Sequence, residues 1–189
     1  MSSSLNSRYI AHKFLSDHVR PGAFCIDATA GRGRDTLLLC QLAGEGGRVL
    51  AFDTQLDAVV STRKLLEENG VSDTAYVFLE SHSAMDLYID PGTADAIVFN
   101  FGWLPGGDHN LHTETQTSLD ALKKGLKLLK PGGVMSLSLY YGKETGYEEK
   151  DAILNYIKTL DSDSYTVIVN SFVNRPNCPP IAVCILRDS

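Results

Sequence analysis

No run of this chain approaches the roughly 20 consecutive apolar residues that a membrane-spanning helix needs. Its opening stretch, MSSSLNSRYI, also lacks the apolar core of a secretion signal. Both absences lead to the expectation of a soluble, cytoplasmic protein with no membrane association. Metal and disulfide chemistry is equally poorly provided for. The four cysteines, Cys25, Cys40, Cys178 and Cys184, form no C-x-x-C pair, and two lie inside apolar strand-like runs, where free cysteine behaves as a small buried hydrophobe. No metal site is expected. A basic excess is missing too: 17 Lys and Arg face 23 Asp and Glu, a net charge of -6. Domains that hold nucleic acid mainly by neutralising phosphate usually carry a basic stripe, so an RNA contact here would need a local patch. There is no internal repeat, low-complexity segment or break in composition. With 43% hydrophobic residues in 189, the chain is long enough for one sizeable core. The expectation is one domain spanning residues 1–189, as a monomer or homodimer.

Apolar, β-rich runs recur near 23–28, 48–53, 75–80, 94–100 and 133–140, and most intervals between them carry helical periodicity. Leu37, Leu38, Leu42 and Ala43 suggest one intervening helix; Ala58, Val59, Thr62, Leu65 and Leu66, at spacings of three and four, suggest another. Such alternation means parallel strands covered by helices on both faces. A helix over 114–130 is predicted to end at Lys130-Pro131-Gly132-Gly133, where proline stops it and glycines turn the chain. After a helix near 147–160 the rhythm changes: YTVIVNSFV and IAVCILRD are joined by NRPNCPP, too short for a crossover helix, and should pair as an antiparallel hairpin. The expected fold is α/β, a seven-stranded, mostly parallel, Rossmann-like sheet closed by a C-terminal antiparallel hairpin.

The turn after the first strand reads DATAGRGRDT, residues 27–36, and lacks the third glycine of a G-x-G-x-x-G fingerprint, since Thr36 stands there. That disfavours a nicotinamide dinucleotide. Asp53, closing the strand VLAFD about 20 residues after Gly33, can accept ribose hydroxyls while the backbone of the glycine turn approaches the ligand. A pyrophosphate site would leave the helix N-terminus open to an anion, whereas here Asp27 and Asp35 flank the loop. A ligand with a ribose, an ammonium group and a cationic sulfur fits: S-adenosyl-L-methionine (SAM). The competing role for Asp27 and Asp35 is to cap the turn and the helix.

DATAGRGRDT, AFDTQLDAV, SHSAMD, NFGWLPGGDH, YYGKETGYEE and FVNRPNCPP resemble, in order and spacing, the rRNA methylase family of class I SAM-dependent methyltransferases. The first two blocks are shared widely among methyltransferases, while NFGWLPGGD with the late N-x-x-N-x-P-P is specific to this family. The resemblance implies a class I methyltransferase fold and methyl transfer to a nitrogen on tRNA, the aminomethyl group of 5-aminomethyl-2-thiouridine at the wobble position. It implies a cofactor site built from Asp27, Thr29, Gly31, Gly33, Asp35, Thr36, Asp53, Gln55, Ser81, His82 and Asn100, with Ser81 and His82 beside the adenine.

Asn100 is the first candidate to align the acceptor amine, because an amide carbonyl can accept the hydrogens of the nucleophile and point its lone pair at the methyl group. Asp108 is the second catalytic candidate, as a proton acceptor or a holder of the amine. The acceptor side falls to Trp103, which could stack on a base, and to Pro105, Gly106, Tyr140, Gly142, Lys143, Asn174 and Asn177. The family usually carries histidine at position 143 and G-N-G-H-D in the first loop, whereas this chain has Lys143 and Gly31-Arg32-Gly33-Arg34-Asp35. Arg32 and Arg34 could meet RNA phosphate. A small-molecule methyltransferase and a non-catalytic SAM-binding protein are the alternatives.

Overall fold

The computed structural model describes residues 5–102, 115–142 and 146–189. Its centre is a seven-stranded sheet made of β1 (Phe24–Asp27), β2 (Arg48–Asp53), β3 (Ala75–Leu79), β4 (Ala94–Phe101), β5 (Leu129–Leu139), β6 (Tyr165–Asn170) and β7 (Ile181–Arg187), in the order β3-β2-β1-β4-β5-β7-β6. The first five strands are parallel, and β7 runs antiparallel to both β5 and β6. The final hairpin therefore folds back so that its second strand, and not its first, docks on the parallel sheet. The burial of the two strands explains the choice: β7 has five buried residues in succession from Ile181, while β6 leaves Thr166, Ile168 and Val169 exposed and takes the edge.

Helices cover both faces, as the alternation of strands and helices requires. Side chains alternate along each strand, so Cys25, Val49, Ala51, Ala96 and Val98 pack with Leu15, Leu39, Cys40, Val59 and Leu66 of α1 (Ser7–His18), α2 (Arg34–Ala43) and α3 (Leu56–Glu68). Ile26, Leu50, Phe52, Ile97, Phe99 and Phe101 face the other way, toward Leu122, Leu126, Ile153 and Ile157 of α4 (Thr115–Leu128) and α5 (Tyr147–Ile157). Among the described residues no helix is long and apolar enough to cross a membrane.

The boundary between α4 and β5 departs from the sequence expectation. The fourth covering helix ends at Leu128, and Leu129 already pairs with Ala94. The backbone ahead of a proline is pushed out of the α region, so Lys130-Pro131-Gly132-Gly133 forms an irregularity within β5 and not a helix end. Between β3 and β4 the chain makes only a 3-10 turn, His82–Leu87. Helix α1 was not anticipated at all. Asn6 caps it, its side chain accepting from the Tyr9 N–H at 2.8 Å. Ala11 and Leu15, four apart, bury its inner face, and the helix packs on α2, β5 and β7.

Candidate cofactor and acceptor site

Strand order reverses its direction of growth between β1 and β4, and in open α/β sheets the crevice beyond the carboxyl ends of the strands at such a point is where ligands bind. The loop after β1 is stitched across this point. Ala28 N–H donates to Val98 O on β4 and Ala30 N–H to Phe52 O on β2, each at 2.9 Å. Gly33 adopts φ +77°, and a Cβ there would lie 2.9 Å from Thr62 Cα on α3. Position 33 thus needs glycine twice over, for its backbone conformation and for the close approach of α3. Thr62 completes the contact by donating to Gly31 O at 3.2 Å.

The acidic residues divide into different roles. Asp53 is half-buried at the end of β2; its two oxygens accept from Gly31 N–H at 2.8 Å and Gln55 N–H at 2.9 Å, which ties the loop to the second strand. Asp27 is fully buried and accepts from Thr36 Oγ1 at 2.6 Å and Thr29 N–H at 3.1 Å. Burial, and then the charge of Asp35, push its carboxyl up to about 7, against the hydrogen bonds of Thr36 and Thr29. Burial also acts on Asp35, but hydrogen bonds from His12 and Asn100 outweigh it and hold Asp35 below the usual carboxylate range. Of two carboxylates in one pocket, the inner one takes up the proton more readily and the outer one keeps its charge. Asp27 is sealed from the crevice, so its geometry is that of a brace for the turn, whereas half-buried Asp53 keeps lone pairs for a further donor.

Asn100 sits where β4 leaves the sheet, in the same pocket. Its backbone N–H donates to Thr29 Oγ1 at 2.7 Å, and its side-chain Nδ2 donates to Asp35 Oδ2 at 2.8 Å. Both donors point into the loop after β1, and no hydrogen bond to Oδ1 is found among the described residues. The far oxygen of Asp35 meets His12 Nε2 at 2.6 Å. From the same helix, one turn earlier, the charge of Arg8 acts on the Tyr140 hydroxyl, lowering its proton affinity while burial, the larger effect, raises it. Arg8 and His12 were missed from sequence. Asn6 followed by the Ala11/Leu15 spacing was a signal for the helix, but nothing local marks a helix as reaching a pocket built from strands far along the chain.

Ser81 caps the 3-10 turn after β3, accepting from Ser83 N–H at 3.2 Å. The His82 ring lies edge-on to Phe99 and Phe101, with centroids 6.3 and 6.2 Å away, and burial pulls its basicity down to about 4. Its Nε2 is buried with no hydrogen-bond partner among the described residues, a polar atom in want of one. Tyr140 and buried Gly142 follow β5 at the same end of the sheet. Asn174 and Asn177 are exposed on the β6–β7 connection, which reaches that end because Ile181 pairs with Leu139. Arg175 ties this connection to Leu5 O at 2.7 Å. Asn177 and Cys178 take positive φ, 64° and 48°, a backbone asparagine tolerates well. Arg32 and Arg34 are exposed at the rim. Trp103, Pro105, Gly106, Asp108 and Lys143 lie outside the described residues.

The donor set suits an adenosyl ligand bearing a cationic group. A close-packed glycine turn, a carboxylate at the end of the neighbouring strand and a charged Asp35 offer backbone approach, ribose acceptors and negative potential.

Residues 49–186 match the family model for rRNA methylases. A curated relative, the chloroplastic tRNA (mnm(5)s(2)U34)-methyltransferase of Arabidopsis thaliana, is 32% identical over 189 residues, covering 95% of this chain and 69% of its own. The crystal structure of a Clostridium thermocellum protein assigned as an rRNA methylase superposes with a TM-score of 0.93 at 39% identity, covering 98% of this chain and 99% of its own. A Streptococcus mutans protein assigned as a methyltransferase, solved in complex with SAH, gives 0.87 at 35% identity, covering 98% and 99% of the two chains.

Proposed function

The chain belongs to the rRNA methylase family and is a SAM-dependent methyltransferase, and from that premise we propose that it methylates the aminomethyl nitrogen of 5-aminomethyl-2-thiouridine at the wobble position of tRNA. The observation that carries this reading is the amide of Asn100, whose N–H groups are turned inward to Asp35 and Thr29 and whose carbonyl oxygen accepts no hydrogen bond among the described residues. A primary amine has N–H groups to give such an acceptor, and holding one of them directs the nitrogen lone pair. Bound SAM supplies an electrophilic methyl group on its sulfonium sulfur.

The remaining roles follow position for the described residues and the family resemblance for Trp103, Pro105, Gly106, Asp108 and Lys143. The backbone at Gly31 and Gly33 admits the adenosyl moiety, Asp53 accepts from the ribose with Gln55 beside it, and Ser81 and His82 border the base. Asp27, Thr29 and Thr36 hold the loop in shape, and Asp35 places negative charge near the sulfonium. Trp103, Pro105, Gly106, Tyr140, Gly142, Lys143, Asn174 and Asn177 form the RNA side, with Asp108 holding or deprotonating the amine. The whole chain acts as one catalytic domain, in the cytoplasm. The net charge of -6 favours a second reading, methylation of a small amine in place of RNA.

Incubation of the protein and SAM with tRNA bearing the unmethylated nucleoside, followed by nucleoside mass spectrometry, tests this. Conversion of aminomethyl to methylaminomethyl thiouridine is the expected result. An unchanged nucleoside profile from protein that binds SAM rejects the tRNA substrate.

A further inference from the structure

Three side chains from distant parts of the sequence form one hydrogen-bonded line at the switch point. His12 Nε2 meets Asp35 Oδ1 at 2.6 Å, and Asp35 Oδ2 accepts from Asn100 Nδ2 at 2.8 Å. We propose that His12 is a positioning residue for methyl transfer: by fixing Asp35 from the N-terminal helix, it holds the Asn100 amide with its carbonyl oxygen presented to the acceptor amine. The inference rests on the reading of Asn100 given above and extends it to a helix that the family model match, residues 49–186, does not reach.

An asparagine amide is nearly symmetric in shape, so packing alone does not choose between its oxygen and its nitrogen. Hydrogen bonds make the choice. A charged carboxylate accepts and cannot donate, so a fixed Asp35 compels Asn100 to turn its NH2 inward and its oxygen outward. Thr29 Oγ1, 3.3 Å from the same Nδ2 and 2.7 Å from the Asn100 backbone N–H, tightens the arrangement. Asp35 itself needs holding. Gly33, two residues before it, is in the left-handed region and offers no side-chain cap to α2, and the Asp35 side chain keeps about 17% of its exposure, so solvent could draw the carboxylate away. His12 prevents this by occupying the second oxygen.

The placement of His12 is itself specified. It neighbours Ala11 on α1, whose inner face is pinned by Ala11 and Leu15. Arg8, four residues earlier and so on the same side of the helix, acts by its charge on the Tyr140 hydroxyl. One helix thus reaches the pocket at two points one turn apart. The His12 side chain is 29% exposed, consistent with a polar lever at the pocket rim and not with a core residue whose loss would unfold the protein.

The test compares His12→Ala, His12→Gln, Asn100→Ala and the His12→Ala/Asn100→Ala double variant. Glutamine keeps an N–H donor of similar reach. His12→Ala should lower kcat by about 10- to 100-fold, the scale of a misaligned reacting group, with KM for tRNA nearly unchanged. His12→Gln should recover most of the rate. In the Asn100→Ala background, removal of His12 should cost nothing further, because residues acting through one another are not additive. A readout independent of turnover is the Asn100 side-chain amide pair in 15N NMR spectra, identified by its loss in Asn100→Ala. It should show slowed hydrogen exchange in the wild type and His12→Gln, and fast exchange in His12→Ala. If Asn100→Ala loses turnover while His12→Ala keeps it, or if the two losses add, His12 has no positioning role. If Asn100→Ala itself turns over normally, the fault lies in the reading of Asn100. Unchanged amide exchange in His12→Ala overturns the proposal whatever the rates.

Discussion

Replacing Gly33 by alanine probes the loop on which the site is built. Two penalties apply at this residue and can be separated. At φ +77° an added Cβ strains the backbone, which costs roughly 1 to 2 kcal/mol in the left-handed region. The same Cβ would also lie 2.9 Å from Thr62 Cα, 3.0 Å from Thr62 Oγ1 and 3.1 Å from Thr62 Cβ. The nearest of these is backbone, and Thr62 is fully buried, so no side-chain rotation relieves it. Either α3 or the loop must shift, an overpacking cost of about 1 to 3 kcal/mol. The sum, about 2 to 5 kcal/mol, is a large part of the 5 to 15 kcal/mol typical of a folded domain. Gly46 supplies the control: its φ of +86° carries the same backbone strain, but a Cβ there meets nothing within 4 Å. Gly46→Ala should therefore lose only the roughly 1 to 2 kcal/mol of strain. Urea unfolding followed by circular dichroism gives both values, and calorimetry with SAM gives the effect on binding. Gly33→Ala should be the less stable by at least about 1 kcal/mol and should bind SAM more weakly, with Gly46→Ala binding normally. Equal losses in the two variants would refute the close approach of α3 and the role assigned to it.

Asn100→Ala should retain SAM binding in calorimetry and lose most of kcat, whereas a change confined to KM would mean that the side chain contributes only uniform substrate binding. Asp53→Ala should weaken SAM binding by about 1.5 to 3 kcal/mol, the range for hydrogen bonds to a charged group, and binding as tight as wild type would remove Asp53 from the ribose site. Stability should respond to pH through Asp27, whose carboxyl is raised from 3.8 to about 7 on folding. Between those values the folded chain holds a proton that the unfolded chain has released, so this contribution is complete below the unfolded value and is lost as pH rises, at about 1.4 kcal/mol per pH unit. Asp35, shifted downward, contributes in the opposite sense, with stability lost only as pH falls into the acid range. Urea midpoints at pH 5 and pH 7.5 should therefore fall with pH in the wild type and hold steady in Asp27→Asn; parallel behaviour of the two would discount the buried proton.

Much of this molecule was fixed by short-range sequence pattern. Apolar runs at β1 to β5, separated by segments of period three to four, leave little choice but a parallel sheet between two helical layers, because each strand must bury both faces. The short connection between the last two strands dictated an antiparallel pair. That Asp27, the turn at Gly31 and Gly33, Asp53 and Asn100 gather at one end of the sheet was legible because each lies at or directly after the carboxyl end of its strand, and strand ends are local features. The charge pattern of the loop pointed to the methyl donor, and the family resemblance supplied the class of reaction.

Tertiary structure alone decided which partner each of these groups would find. Asp27 and Asp35 read alike in the sequence, yet one is sealed against Thr36 and carries the higher proton affinity, while the other is held charged between His12 and Asn100. That division depends on burial, which is set by how α2 packs on the sheet and not by residue type. The insertion of β7 between β5 and β6 depends on which of two similar strands has the longer apolar stretch to bury. Helix α1 reaches the pocket because it crosses α2, β5 and β7, and hydrogen bonds such as His12 to Asp35 and Asp35 to Asn100 span 23 and 65 residues of sequence. A periodic pattern carries the direction of a side chain relative to its own helix or strand. It carries no information on what stands opposite until the chain has closed on itself.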